Sequence, residues 1–198
     1  MKTADARLRK LLSDGKSIRT LGFDDAPFTR RSRHVPIAGV MCAGTRFEGL
    51  VWGRITRDGW NANAEIVRLL RGKKFLPQVH AVLLDGIAFG GFNVVDLPAL
   101  SESLGVPCAS VMRRLPDLPA MERAMRRLPR ASRRLAVLSR AGEMHERPPF
   151  VFQVAGCSAE AMHGVLARAT DRGHVPEALR LAHLIGSAVI TGESGRRA

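Results

Sequence analysis

The order of the apolar segments constrains this chain more than any other feature. Three strand-like runs come first: Ser17–Phe23 (SIRTLGF, ending at Asp24-Asp25), His34–Cys42 (HVPIAGVMC) and Phe47–Thr56 (FEGLVWGRIT). Short connections join them, and the CAGTR turn between the second and third suits a hairpin. Past Asp58-Gly59 the pattern changes. Asn61–Leu70 carries Ile66, Leu69 and Leu70 on one helical face, with Asn61 or Asn63 as its N-cap. A short strand at His80–Leu84, a helix at Val94–Leu104 and a strand at Cys108–Met112 follow. Helices broken near Pro129 fill 117–140, a further strand-like run lies at Phe150–Val154, and helices at Ala159–Ala169 and Glu177–Thr191 close the chain.

Consecutive strands with tight connections pair antiparallel, whereas strands that alternate with helices run parallel through right-handed crossovers. A mixed five-stranded sheet in the order 3-2-1-4-5, flanked by helices, satisfies both constraints. That is an α/β, ribonuclease H-like arrangement. At 198 residues the chain suffices for one such domain over 1–198, with an N-terminal basic helix within 1–15 and a core over 17–195.

This topology sets the first and fourth strands side by side and parallel. Asp24 ends the first and Asp85 ends the fourth, so their carboxylates converge across a spacing of about 4.8 Å. Carboxylates that close repel unless a proton or a cation intervenes. Mg²⁺ or Mn²⁺ is the expected cation, being hard and oxygen-seeking. A pair of such ions suits in-line displacement at a phosphodiester. Asp at a strand end also serves as a plain turn former. Asp25 can exchange roles with Asp24, because strand alternation turns only one of the two inward.

The charge points to a compatible partner. Lys and Arg number 31 against 18 acids, a net charge of +13, and most of the cations are Arg. Arg presents a planar fork that matches phosphate, so a polyanion is the expected partner. Residues 113–134 hold eight arginines, and Arg123, Arg126, Arg127, Arg130, Arg133 and Arg134 can cover one side of the broken helices as a phosphate-tracking surface; the plain alternative is a solvated face. An apolar fraction of 45% with 25% charged residues excludes collagen-like, disordered and coiled-coil chains. The N-terminal MKTADARLRK has no apolar run of the signal or anchor kind, and a cytoplasmic protein without membrane contact is expected. Cys42, Cys108 and Cys157 form no CxxC pair and read as free thiols.

Four segments, TLGFDDAPF, VLLDGIAFGGFNVVD, SVMRRLPD and VPEALRLAHLIGSA, resemble the endonuclease dU family, which is similar in turn to endonuclease V, a repair nuclease for deaminated bases. The resemblance spans roughly 17–195. It implies a Mg²⁺- or Mn²⁺-dependent endonuclease that cleaves DNA near uracil or inosine. Asp24 (in GFD) and Asp85 (in LDG) fall on the metal-holding acids, and Arg113 (in VMRR) falls where endonuclease V has a catalytic lysine. His183 falls on a helix near the metals, in a stripe with Glu177 and Arg180. The loop Gly86–Asn93 (GIAFGGFN) becomes the wall of a base pocket, with Gly86, Gly90 and Gly91 admitting the ligand. The Asn93 amide either matches the uracil edge or caps a helix.

Two departures accompany the resemblance. DGWNAN places Asn61 where the family has an acid, so Asp58 or Glu65 is expected to supply the third metal ligand, or the site is weakened. Endonuclease V parts the duplex with a tyrosine-containing segment, and this chain has no tyrosine. Trp60 or Phe75 takes that place as an apolar wedge, or else both pack into the fold. The alternative function is a non-catalytic DNA- or RNA-binding protein with a degenerate metal site.

Overall fold

The computed structural model describes residues 2–194, so residue 1 and residues 195–198, including the expected end of the core at 195, lie outside the described residues. Helix α1 (Lys2–Ser13) precedes β1 (Arg19–Asp25), β2 (His34–Ala43) and β3 (Arg46–Thr56). Helix α2 (Ala62–Leu70), β4 (Ala81–Asp85), a small ribbon of β5 (Ala88–Phe89) and β6 (Asn93–Val94), α3 (Leu97–Leu104) and β7 (Cys108–Met112) follow. The chain continues through α4 (Leu118–Met125), α5 (Ala131–Arg140), β8 (His145–Arg147), β9 (Phe150–Ala155), α6 (Ala159–Arg168) and α7 (Glu177–Thr191).

The main sheet has the order β3-β2-β1-β4-β7-β9-β8. Strand β1 pairs antiparallel with β2 and parallel with β4, and β4 pairs parallel with β7. The order 3-2-1-4-5 expected from sequence is therefore present, but the sheet has seven strands, not five. An antiparallel hairpin of β8 and β9 adds to the outer edge of β7. It covers what would otherwise be an open edge and buries Phe150 and Phe152. Strand β8, three residues reading HER, carries no alternation that could have announced it. The loop after β4 differs too, since Ala88–Phe89 and Asn93–Val94 close a ribbon of their own.

Strand alternation divides the core. Leu21 and Phe23 of β1, Val82 and Leu84 of β4, and Ile66, Leu70, Leu97 and Leu100 of α2 and α3 fill one face of the sheet. Ala81 and Leu83 turn the other way, toward Leu8 of α1, Met162 and Leu166 of α6 and Leu179 of α7. Ala38, Val40 and Cys42 of β2 meet Ala178 and Ala182 of α7. Gly22 makes this contact possible: a Cβ there would lie 2.7 Å from the Ala178 carbonyl carbon. The missing side chain lets α7 lie directly on β1, and that close approach sets the height of α7 above the residues at the end of the strand. Cys42 and Cys108 are buried free thiols, and Cys157 is half-buried. Among the described residues no helix is long and apolar enough to cross a membrane.

Candidate metal centre

Phe23 of β1 lies opposite Leu84 of β4, so Asp24 and Asp85, one position further along each strand, turn together to the opposite face, the face covered by α7. One turn and a half along α7 from Ala178, His183 reaches down to the same point. Its Nδ1 lies 2.9 Å from Asp24 Oδ2. One ligand atom each from Asp24, Asp85 and His183 lie within 4.8 Å of one another. Arg113, just past the end of β7, places Nη2 3.7 Å from Asp85 Oδ2. These are the four side chains to which the sequence reading gave the catalytic roles, and the structure brings all four together.

The electrostatics of this cluster suit a cation. Asp24 is 5% exposed, and the backbone N–H of Asp25 donates to its Oδ1 at 2.8 Å. Burial, reinforced by the charge of Asp24, pushes the Asp85 carboxyl up to about 6, while Arg113 and His183 pull the other way. The hydrogen bond to Asp24 raises the proton affinity of His183 above its ordinary value. An octahedral ion with ligand distances of about 2.1 Å holds opposite donors about 4.2 Å apart. Two carboxylate oxygens and an imidazole nitrogen within 4.8 Å therefore fit around one ion with small side-chain adjustment. The donor set, two hard oxygens and one nitrogen, accommodates Mn²⁺ as readily as Mg²⁺.

The other sequence-derived ligands do not join this group. Asp58 adopts a left-handed conformation with φ of 50°, and its carboxylate accepts from the Phe92 N–H at 2.9 Å and lies 3.3 Å from Arg57 Nε. Glu65 accepts from the Arg54 N–H and pairs with Arg68 at 2.7 Å. Asn61 Oδ1 accepts from the Thr56 N–H at 3.0 Å and from Asn93 Nδ2 at 2.9 Å. The corner between β3 and α2 is thus tied to its own backbone.

Asn93 is corrected as a base reader for the same reason. It is fully buried, its Oδ1 accepts from the Ala62 N–H at 3.1 Å, and its Nδ2 donates to the Thr56 carbonyl as well as to Asn61. It caps α2 from another segment, a task expected of Asn61 or Asn63. Asn63 instead clasps the backbone of Asp96 in both directions. Gly86, Gly90 and Gly91 all have positive φ, and Gly86 and Gly91 line an apolar cleft of about 270 Å³ with Met112, Leu118, Met121 and Met144.

Sequence reasoning left Asp25 interchangeable with Asp24 and misplaced part of the arginine run. Asp25 faces away from Asp24 and accepts from the Gly90 N–H at 2.6 Å, and burial pushes its carboxyl up to about 6. The doubled aspartate was the available signal for a residue on each face. Arg134 is 2% exposed; it donates to the carbonyls of Asp58, Gly59, Phe92 and Pro129 and lies 4.4 Å from the Trp60 ring centre. Arg133 stacks on the same ring at 4.9 Å. Arg134 is therefore no part of a phosphate surface, and Trp60 is no free wedge. Phe75 is buried against Gly49 and fills no such place either. Arg123, Arg126 and Arg127 are exposed, with Arg126 3.9 Å from Glu122.

Residues 16–190 match the endonuclease dU family. A UPF0215 protein of Methanothermobacter thermautotrophicus is 40% identical over 187 residues, covering 89% of this chain and 90% of its own length. A UPF0215 protein of Deinococcus radiodurans is 40% identical over 176 residues, covering 88% and 90%. The crystal structure of a protein of unknown function from Archaeoglobus fulgidus superposes with a TM-score of 0.84 at 32% identity, covering 88% of this chain and 99% of that one. The catalytic domain of human endonuclease V superposes with a TM-score of 0.59 at 15% identity over 96% of this chain and 94% of its own, which shows a shared ribonuclease H-like fold. By sequence match and by fold, the chain belongs to the endonuclease dU family.

Proposed function

We propose that this protein is a Mg²⁺- or Mn²⁺-dependent endonuclease that hydrolyses DNA phosphodiester bonds near deaminated bases. The observation that carries the reading is the convergence of Asp24, Asp85 and His183 within 4.8 Å on one face of the sheet. Endonuclease V of Ciona intestinalis, which shares the fold, has been crystallised with inosine-containing DNA. Asp24, Asp85 and His183 hold the ion, and His183 is oriented by its hydrogen bond to Asp24. When bound, the ion supplies an activated water and charge stabilisation at the phosphate. Arg113 faces the reacting phosphate from the side of Asp85 and offsets its negative charge. The glycines of the 86–93 loop let a base approach the apolar cleft beside Asp85 without side-chain obstruction. Methionines in that wall adapt to more than one base.

Incubation of the purified protein with uracil-containing, inosine-containing and undamaged DNA, with and without Mn²⁺, tests this reading. Metal-dependent cleavage of the deaminated substrates is expected, with a loss of about 10³-fold or more in Asp24→Ala and Asp85→Ala proteins whose folding is checked by circular dichroism. Cleavage that survives both substitutions would remove the metal site from the reaction. A second reading, a nucleic-acid-binding protein without catalysis, is favoured by one observation: Asn61, where the resemblance implies an acid, is fixed by two hydrogen bonds. Tight, metal-independent binding with no cleavage would select it.

A further inference from the structure

Strand β1 leaves Asp24 and Asp25 and runs into the loop 26–33, which reads APFTRRSR. Arg30, Arg31 and Arg33 are exposed, and among the described residues none of the three forms an ion pair. Phe28, two residues before them, is 39% exposed. The loop is nonetheless built. The Thr29 N–H donates to Ser32 Oγ at 3.0 Å, the Arg31 N–H donates to Thr29 Oγ1 at 3.2 Å, and the Ser32 N–H donates to the Thr29 carbonyl at 3.0 Å. Both ends are fastened, Ala26 to the Pro36 carbonyl and the Arg33 carbonyl to the Arg57 N–H.

Place in the fold gives this loop its meaning. Strands β1, β4 and β7 are parallel, so the segments that follow them share one rim of the sheet. Asp24 and Asp85 sit on that rim, with Arg113 and Arg114 after β7 on one side and the 26–33 loop on the other. Three of the helical arginines contrast with these: Arg134 is buried, Arg133 stacks on Trp60, and Arg140 pairs with Asp96 at 2.5 Å. Three guanidinium groups that form no ion pair among the described residues and an exposed aromatic ring on a pre-ordered loop match the needs of single-stranded nucleic acid, which binds through phosphates and stacked bases.

We infer that the 26–33 loop is a docking surface for an unpaired segment of the DNA strand that crosses the metal centre. Arg30, Arg31 and Arg33 meet successive phosphates, and Phe28 stacks on a base. The inference rests on the proposed nuclease reading and adds to it the side from which the strand arrives.

The test measures binding of the full chain to a uracil-containing single-stranded oligonucleotide by fluorescence anisotropy, in EDTA, from 50 to 200 mM KCl. The combined Arg30→Ala, Arg31→Ala, Arg33→Ala protein is expected to lower the slope of log affinity against log salt by about 2, from about 0.7 per phosphate contact. A combined Arg123→Ala, Arg126→Ala, Arg127→Ala protein is expected to change the slope by less than half as much. Phe28→Ala is expected to weaken binding about tenfold at an unchanged slope, with Phe28→Trp restoring it. An unchanged slope and affinity in the loop variant, or a larger loss in the helix variant, overturns the inference, and an unaffected Phe28→Ala overturns its stacking part. Cleavage assays of the same proteins with Mn²⁺ separate the two levels. A native protein that cleaves while the loop variant binds and cleaves equally well defeats the loop and leaves the nuclease reading standing. Loop-dependent binding in a native protein that never cleaves does the reverse.

Discussion

Two polar clusters occupy the same rim of the sheet, one on each face, and they are built on opposite principles. On the face away from α7, Asp58, Asn93 and Arg134 are satisfied by neighbours. Asn93 bonds to Ala62, Thr56 and Asn61, Asp58 accepts from Phe92, and Arg134 donates to four carbonyls. On the face under α7, Asp24 and Asp85 confront each other, and the Asp85 carboxyl is pushed up to about 6. Buried polar groups that find partners hold a fold together, and those left in mutual repulsion are paid for elsewhere and belong to sites. Residue type does not distinguish the two clusters; the like charges set face to face under α7 do.

The sharpest way to break this contrast is to remove Arg134. Arg134→Met keeps the apolar stem over Trp60 but leaves the carbonyls of Asp58, Gly59 and Phe92 without their donor. A loss of about 3–5 kcal/mol in urea unfolding is expected, the usual result of stripping a buried charged hydrogen-bond donor from its acceptors. A loss under about 1 kcal/mol would mean that water replaces the guanidinium and that this face is not the satisfied one.

The opposite sign is expected at the candidate metal centre. Asp85 holds its proton more tightly in the folded chain, with its carboxyl raised from 3.8 to about 6. The stabilisation from that proton is present below about pH 4 and is lost as pH rises through about 6. Metal-free Asp85→Asn therefore matches the native protein near pH 4 and exceeds it at pH 7, by on the order of 1–3 kcal/mol. Mn²⁺ should raise the melting temperature of the native protein and not that of the variant. Thermal scans between pH 4 and 7 read both effects. A variant less stable than the native protein at pH 7 would show that Asp85 is a structural acid.

The two clusters also differ in how far the sequence reveals them. Asp85 and one of the Asp24-Asp25 pair follow from strand order, because parallel neighbours with an acid at each C-terminal end must share a rim, and the resemblance singled out Asp24. His183 lies 159 residues from Asp24, and only the resemblance of its helix placed it there. Its seat depends on Gly22, whose missing side chain lets α7 descend, and no local periodicity announces such an approach. The satisfied cluster was read only in part: the cap at Asn93 and the packed Trp60 stood among the alternatives, and the buried Arg134 did not. An arginine in a basic run looks like surface, yet Arg134 points inward from a helix whose other face is exposed. Asn93 stayed open between a ligand reader and a helix cap because its partners, Ala62, Thr56 and Asn61, lie more than thirty positions away. Of the β8–β9 hairpin, β9 was read as a strand-like run at Phe150–Val154, whereas β8 escaped for a different reason: it is too short to show alternation, and it pairs only with β9.

Asn61→Asp makes the finest test of the separation, and the smallest effect is expected there. The side chain keeps its Oδ1, so the Thr56 N–H and the Asn93 amide keep their acceptor. The added charge falls where Asn93 donates and where the Arg134 guanidinium lies against the adjoining Gly59 carbonyl, so it is offset locally. Stability should therefore shift by less than about 1 kcal/mol. The Mn²⁺ midpoint, read from metal-dependent melting, should move by less than about threefold, because the ligand-bearing face lies across the sheet. Mn²⁺ binding tighter by tenfold or more would mean that a carboxylate at this corner swings to the ion. The two faces would then be parts of one centre from which this chain has lost an acid, and the satisfied hydrogen bonds around Asn61 would be the trace of that loss.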